Sequence, residues 1–143
     1  MKLDFTEIDV DKVNAHDILH SDYLELLCDR CGDNTILWSQ LSKVKCIPLW
    51  ILRKHSSKWR WAYVLKNTPL SEEFVEEHFK LFDLRDIAYL CRYQELSDEF
   101  IRNHADELDW VALYKYGKLS DDLKKEFSNY IGYFESVIID EYK

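Results

Sequence analysis

The sequence predicts an all-α fold in which short helix-turn-helix repeats stack as a small α-solenoid behind a short N-terminal arm. Three observations favour this class. A segment that begins with Leu-Ser and acidic residues recurs along the chain, and apolar residues recur in columns 23 residues apart. The 143 residues also contain only 3 Gly and 2 Pro. Because tight turns depend on Gly and Pro, this composition argues against a turn-rich all-β fold.

The repeat is clearest in the middle of the chain. LSEEFVEEH at 70–78 returns as LSDEFIRNH at 96–104 and, weaker, as LSDDLKKEF at 119–127. The first spacing is 26 residues and the second is 23, so the earlier unit contains a three-residue insertion near Leu90 to Arg92. The predicted repeats are 24–46, 47–69, 70–95, 96–118 and 119–143, within one domain of residues 1–143. The arm and a truncated half repeat occupy residues 1–23.

Five apolar columns follow from this register, and they are predicted to form the core. The columns are Leu24, Ile47, Leu70, Leu96 and Leu119; Cys28, Ile51, Phe74, Phe100 and Leu123; Ile36, Trp59, Phe82, Leu108 and Ile131; Trp38, Trp61, Leu84, Trp110 and Tyr133; and Leu41, Val64, Ile87 and Leu113.

Each repeat is predicted to form two short helices. Ser71 and Ser97 can cap the first helix, with acidic residues in its first turn, and Asp83 and Asp109 can cap the second. Helices of about 8 residues are unstable alone, so their apolar sides must be buried against neighbouring repeats. A compact helical bundle with a duplicated sequence is the alternative. Residues 1–11 are predicted to be an extended arm or a short strand.

The segment 70–119, with LSEEFVEEH, LSDEFIRNHADELDW and the junctions YQELS and YGKLS, resembles the short LSEEF-type tandem helical repeats of bacteriophages, large DNA viruses and some bacteria. The match is poor at 24–69, where Pro48 replaces the capping Ser and Trp50 replaces an acid. The resemblance implies a viral or mobile-element origin and an all-helical repeat fold. It implies no shared catalytic activity.

Charge and hydropathy restrict the function further. The formal net charge of −8 disfavours nonspecific binding of nucleic acid by the whole surface. The longest apolar stretch, Cys46 to Leu52, is far shorter than the ~20 residues that cross a bilayer. The acidic N-terminus resembles no secretory signal. We therefore expect a cytoplasmic protein with reduced thiols, in the host cytoplasm if it is viral, as a monomer or weak homo-oligomer, without membrane contact.

Four residues have spacings that suit zinc: Cys28, Cys31, Cys46 and His55. The repeat register argues against a metal site, because Cys28 shares a column with apolar residues and is expected to fill the core. We predict no metal and no cofactor. A second column contains His55, His78 and His104, which are predicted to cap a helix or to contact a neighbouring repeat. A titrating or metal-binding histidine ladder is the alternative.

No P-loop, HExxH, G-x-S-x-G or Gly-rich phosphate loop is present, so we predict that the protein is not an enzyme. The repeat 47–69 instead carries five basic residues and no acidic one. Trp59 and Trp61 belong to core columns, whereas Trp50 does not. The predicted partner-binding residues are Trp50, Arg53, Lys54, Lys58, Arg60, Tyr63 and Lys66. The alternative is that these basic residues pair with acidic neighbouring repeats.

The predicted function is a non-enzymatic protein-interaction module. With the viral resemblance, this narrows to a phage or viral factor that inhibits a host protein or defence complex, such as an anti-CRISPR-like inhibitor. The expected partner is a host or cognate protein with an acidic patch. One alternative is binding of nucleic acid through the band 47–69, or its mimicry by the acidic helices. A second alternative is a small zinc-binding protein.

Overall fold

The computed structural model describes residues 18–131, with side chains from residue 22 onward. Over this range the chain is helical and contains no strand, which confirms the all-α class. None of the helices in this range has the length and apolar character required to cross a bilayer. The predicted arm, and Tyr133 of the fourth column, lie outside the described residues.

Nine α-helices lie within residues 18–131, of which the first begins at the first described residue, and a further helical turn at 128–131 reaches the last one. They are α1 (Ile18–Cys31), α2 (Thr35–Leu41), α3 (Leu49–Lys54), α4 (Trp61–Asn67), α5 (Glu72–His78), α6 (Leu84–Tyr93), α7 (Asp98–Asn103), α8 (Trp110–Lys115) and α9 (Asp121–Glu126). A 3-10 turn at Phe79–Leu81 follows α5.

The chain divides between Phe82 and Asp83 into two compact units. The first unit contains α1 to α5 and the second contains α6 to α9. Two helices fall in each of the second, third and fourth predicted repeats, whereas α1 begins six residues before the first repeat, 24–46. The division between the units lies inside the third repeat, 70–95. Both the single domain and the α-solenoid stacking stay predictions.

Side-chain caps define where several helices begin. Ser71 and Ser97 accept hydrogen bonds from the backbone N–H groups three residues later, at 3.2 and 3.1 Å. Asp83 forms a reciprocal capping box with Asp86, and Asp109 caps α8. The four capping positions predicted from the sequence are therefore confirmed. Helix α3, which follows Pro48, has no side-chain cap.

The buried residues follow most of the predicted columns. Every member of the column that begins at Cys28 is buried, and so is every member of the column that begins at Leu41. Two predicted core residues are exposed instead: Ile36 by 68% and Leu84 by 88%. Both lie in the first turn of a second helix, and their helices bury later residues, such as Leu37 in α2 and Ile87 in α6. The core prediction was wrong at these two positions.

Candidate functional site

Four of the five tryptophans are structural. Trp61 contacts the ring of His78 at a centroid distance of 5.3 Å, and its indole N–H donates to the Ser56 carbonyl at 3.1 Å. Trp110 donates in the same way to Ala105, and Trp38 contacts Trp59 at 5.1 Å. These four indoles are no more than 6% exposed. Their polar N–H groups are satisfied by backbone carbonyls, so they are core residues, as the repeat columns predict.

The histidine column lies at the ends of the first helices. His55 follows α3 and contacts Trp38 at 5.4 Å, so it joins two successive helix pairs of the first unit. His78 ends α5, where its Nδ1 lies 2.8 Å from the Phe74 carbonyl oxygen. In the second unit His104 follows α7 and contacts the ring of Phe100 at 4.5 Å. The contacts of His55 and His78 support the role that the sequence predicts, whereas the contact of His104 with Phe100 lies within its own repeat.

The side chain of His55 is sparsely hydrogen-bonded. Its Nε2 is buried, has no hydrogen bond among the described residues, and lies 3.8 Å from the Asp29 carboxylate. Burial lowers the pKa of His55, while the negative charge of Asp29 acts in the opposite direction. The imidazole therefore favours its neutral form in the folded protein.

The four residues of the zinc hypothesis occupy different environments. Cys28 and Cys31 are buried on α1, where burial raises the pKa of Cys28 and raises that of Cys31 to about 11. Cys46 is half-buried and lies in a loop with a positive φ of 59°. Between residues 22 and 131, no group of three His, Cys, Asp or Glu side chains could hold a metal. Raised thiol pKa values oppose the thiolate form that binds zinc. The zinc alternative itself stays a hypothesis.

The predicted partner-binding residues lie in the first unit, and three of them share the exposed face of α3. Trp50 is 48% exposed, and Arg53 and Lys54 follow it at helical spacings of three and four residues. We call Trp50, Arg53 and Lys54 the α3 face. It is the part of the predicted site that the structure places on one surface.

The cations of the α3 face are paired within the protein. Arg53 donates two hydrogen bonds to Glu77 of α5, at 3.1 and 3.2 Å, and these raise the pKa of Arg53 and lower that of Glu77. Lys54 pairs with Glu25 of α1. The alternative in which the basic repeat pairs with acidic neighbours is therefore confirmed for these two residues.

The remaining members of the predicted site lie away from α3 along the chain. Lys58 pairs with Asp33 and lowers the pKa of that carboxyl. Arg60 donates to the Ser39 hydroxyl at 3.2 Å, and the half-buried Tyr63 has the Lys43 ammonium 4.8 Å from its ring centre. A cavity of about 580 Å³ is lined by Asp33, Thr35, Trp38, Ser57, Lys58, Trp59 and Arg60. Lys66 is exposed on α4. The joint action of all seven residues stays a prediction.

The second unit contains a group of cationic and tyrosine side chains that sequence reasoning missed. Helix α6 contacts α8, and a cavity of about 200 Å³ lies beside them. It is lined by Ala88, Tyr89, Arg92, Asp109, Val111, Ala112, Lys115 and Tyr116. Helix α6 has 10 residues, whereas α8 has 6, in agreement with the insertion inferred near Arg92. That insertion was the one feature of the sequence that indicated this group of side chains.

No family model matches this chain, and neither a curated protein nor a solved structure matches it. The resemblance to LSEEF-type repeats therefore stays a prediction.

Proposed function

We propose that this protein is a non-enzymatic interaction module that binds a protein partner through the α3 face. The observation that carries the proposal is the exposure of Trp50, 48% against 6% or less for the other four tryptophans. An exposed indole exposes a large apolar area to water, and Trp is among the residues that contribute most at protein interfaces. Removing Trp50 from water on binding would supply an apolar anchor.

The paired charges around Trp50 favour a preorganised surface. Arg53 is held by Glu77 and Lys54 by Glu25, so their side chains lose less conformational freedom when a partner binds. The same pairing changes the expected partner. Because these cations already have carboxylate partners, the binding partner needs an acidic patch less than the positive charge of the repeat 47–69 suggested. The proposal rests on Trp50 as the anchor.

We also propose that the helix pairs stack as repeats, forming α-solenoid segments within each unit. Equivalent ion pairs support this arrangement. Arg53 pairs with Glu77 in the first unit and Arg102 pairs with Glu126 in the second, each across 24 residues. The resemblance of residues 70–119 to phage and viral repeats supports the narrower proposal of a viral factor that inhibits a host protein or defence complex.

Binding of single-stranded nucleic acid through the band 47–69 is the weaker candidate. It needs exposed rings for base stacking and available cations for phosphates. Trp59 and Trp61 are 5% exposed, so neither ring is available for stacking. Trp50 and the half-buried Tyr63 are the remaining aromatic candidates in that band. Mimicry of nucleic acid by the acidic helices is a separate proposal that predicts a strongly salt-sensitive complex.

Affinity purification with matched variants tests the main proposal. The wild-type protein should recover a stoichiometric protein partner from expressing or infected cells, and Trp50→Ala should lose it. Ile36→Ala is the control, because it removes an exposed apolar side chain from α2 instead of α3. Retention of the partner by Trp50→Ala, or equal loss in the control, would contradict the proposal. Length-dependent binding of a single-stranded oligonucleotide that requires Trp50 would favour the nucleic-acid candidate.

A further inference from the structure

The second unit contains an arginine whose two neighbouring aromatic rings hold it in place. The guanidinium carbon of Arg92 lies 4.8 Å from the ring centre of Tyr93 and 4.7 Å from that of Tyr116. Within the described residues Arg92 has no ion pair and no hydrogen bond, whereas Arg53 and Arg102 each bind a glutamate. The five N–H donors of this guanidinium therefore have no oxygen acceptor among the described residues. Within residues 22–131, Arg92 thus presents donors for an external acceptor beside two tyrosine rings.

The cavity beside Arg92 has the charge and size of a site for one anionic side chain. Its lining contains the cations Arg92 and Lys115 and one carboxylate, Asp109, which leaves one excess positive charge. An Asp109 oxygen is already engaged, since it accepts the Ala112 N–H at 3.1 Å. The volume of about 200 Å³ is below the roughly 300–1,000 Å³ of ordinary small-molecule sites. A single side chain of a larger partner suits this space better than a complete small molecule.

We propose that this cavity binds a single carboxylate side chain on the surface of a protein partner. The planar guanidinium of Arg92 can donate two parallel hydrogen bonds to a carboxylate, and Lys115 adds a second positive charge. The apolar stem of a Glu side chain would contact Ala88 and Val111, which line the same cavity.

Charge favours a carboxylate over a nucleic-acid strand. The excess of one positive charge in the cavity lining matches a monoanion. Residues 83–131 carry 7 basic and 11 acidic side chains, so a chain of phosphates would be repelled by the surroundings of the site. A lone carboxylate on a mixed protein surface meets much less of this repulsion.

This inference goes beyond the α3 face, because it concerns different residues in the other unit and stands without Trp50. The sequence predicted a partner with an acidic patch at the repeat 47–69, whereas this cavity takes one carboxylate and lies in the second unit. In the repeat 47–69, Arg53, Lys54 and Lys58 already hold carboxylates of this chain. Arg92 has none among the described residues, and within that range no carboxylate competes with an external one.

Nuclear magnetic resonance of the full-length protein tests the proposal. The probe is a peptide Gly-Ser-Leu-Glu-Leu-Ser-Gly with blocked ends, and the control peptide has Gln in place of Glu. The Glu peptide should produce saturable shifts of the Arg92 Nε–H resonance and of the Tyr116 amide, and the Gln peptide should not. Arg92→Gln should abolish the Tyr116 shift. Arg92→Lys, which keeps the charge but loses the planar fork, should weaken binding about ten-fold.

The matched control is Arg85→Gln, which removes the same charge from the same helix at a residue that does not line the cavity. This variant should change the affinity for the Glu peptide by no more than about two-fold, since an exposed charge seven residues from Arg92 along α6 is largely screened. If Arg92→Gln loses helicity, Lys115→Gln serves as the second variant, and it should weaken binding of the Glu peptide. Equal responses to both peptides, no saturable shift up to about 10 mM, or equal loss in Arg85→Gln overturns the proposal. Tighter binding of inorganic phosphate or of a single-stranded oligonucleotide overturns the choice of a carboxylate.

Discussion

Replacing Trp61 and Trp50 separately with Ala tests whether the two indoles have the different roles assigned to them. Trp61 is 5% exposed and contacts Phe74, His78 and Phe82. Full burial of a Trp side chain removes roughly 150–250 Å² from water, which at about 25 cal/mol per Å² corresponds to roughly 4–6 kcal/mol. Part of this area stays buried as Ala, so we expect Trp61→Ala to lower the free energy of unfolding by about 3–5 kcal/mol.

Trp50→Ala should cost much less. Because 48% of Trp50 is already exposed, the substitution removes about half as much buried area and leaves no unsatisfied carbonyl like that of Ser56. We expect at most about 2 kcal/mol, which leaves a domain of ordinary stability folded.

Urea unfolding followed by far-ultraviolet circular dichroism measures both values. The slope of the free energy of unfolding against urea concentration should be the same in both variants and the wild type, so that the unfolding midpoints can be compared directly. A loss for Trp61→Ala no larger than that for Trp50→Ala would refute the assignment of Trp61 to the core and of Trp50 to the surface. The proposed function would then lose its principal support.

Three further predictions concern individual side chains. In the folded protein a thiol reagent should modify the half-buried Cys46 well before the three buried thiols, Cys28, Cys31 and Cys91. Burial raises the pKa of Cys91, for example, to about 12. Early labelling of any buried thiol would contradict its assignment to the core. The pKa of His55 should lie below the usual value of about 6.5, so the stability it contributes is present above that pH and is lost as the pH falls through the folded pKa. Asp29→Asn should lower that pKa further in a nuclear magnetic resonance titration, and a rise would exclude the inferred charge contact. Ser71→Ala should cost about 1 kcal/mol through loss of the α5 cap, whereas Ser71→Gly should cost only a few tenths.

The repeat columns were most predictive for the first helix of each pair. Cys28, Ile51 and Phe74 are spaced 23 residues apart, and each of the three is buried. The second helices were less predictable, because their starts depend on local capping and length. Asn34 caps α2, and Ile36 follows it so closely that it lies in the first turn and is exposed. One residue along a helix rotates the side chain by about 100°, so a small change of register moves it out of the core.

The candidate sites were harder to predict than the core. The basic residues of 47–69 suggested an available cationic surface, because net charge does not show which carboxylates lie next to them. Arg53 and Glu77 belong to successive repeats and become neighbours only after the helices associate. Arg92 depends in addition on the length of α6, because its second ring contact is with Tyr116, 24 residues further along the chain. Interactions of this range require the three-dimensional arrangement.

The exposed Leu84 has a consequence for the order of local unfolding. A ring–ring contact joins α2 to the end of α3, through Trp38 and His55, and another joins α8 to the residue after α9, through Trp110 and Phe127. The corresponding position at the start of α6 is Leu84, 88% exposed, which contributes no buried ring. Amide hydrogens protected by the first turn of α6 should therefore exchange with solvent at a lower free energy of opening than those at the start of α8. The second unit would begin to open at Leu84 while the contacts around Trp110 are still intact.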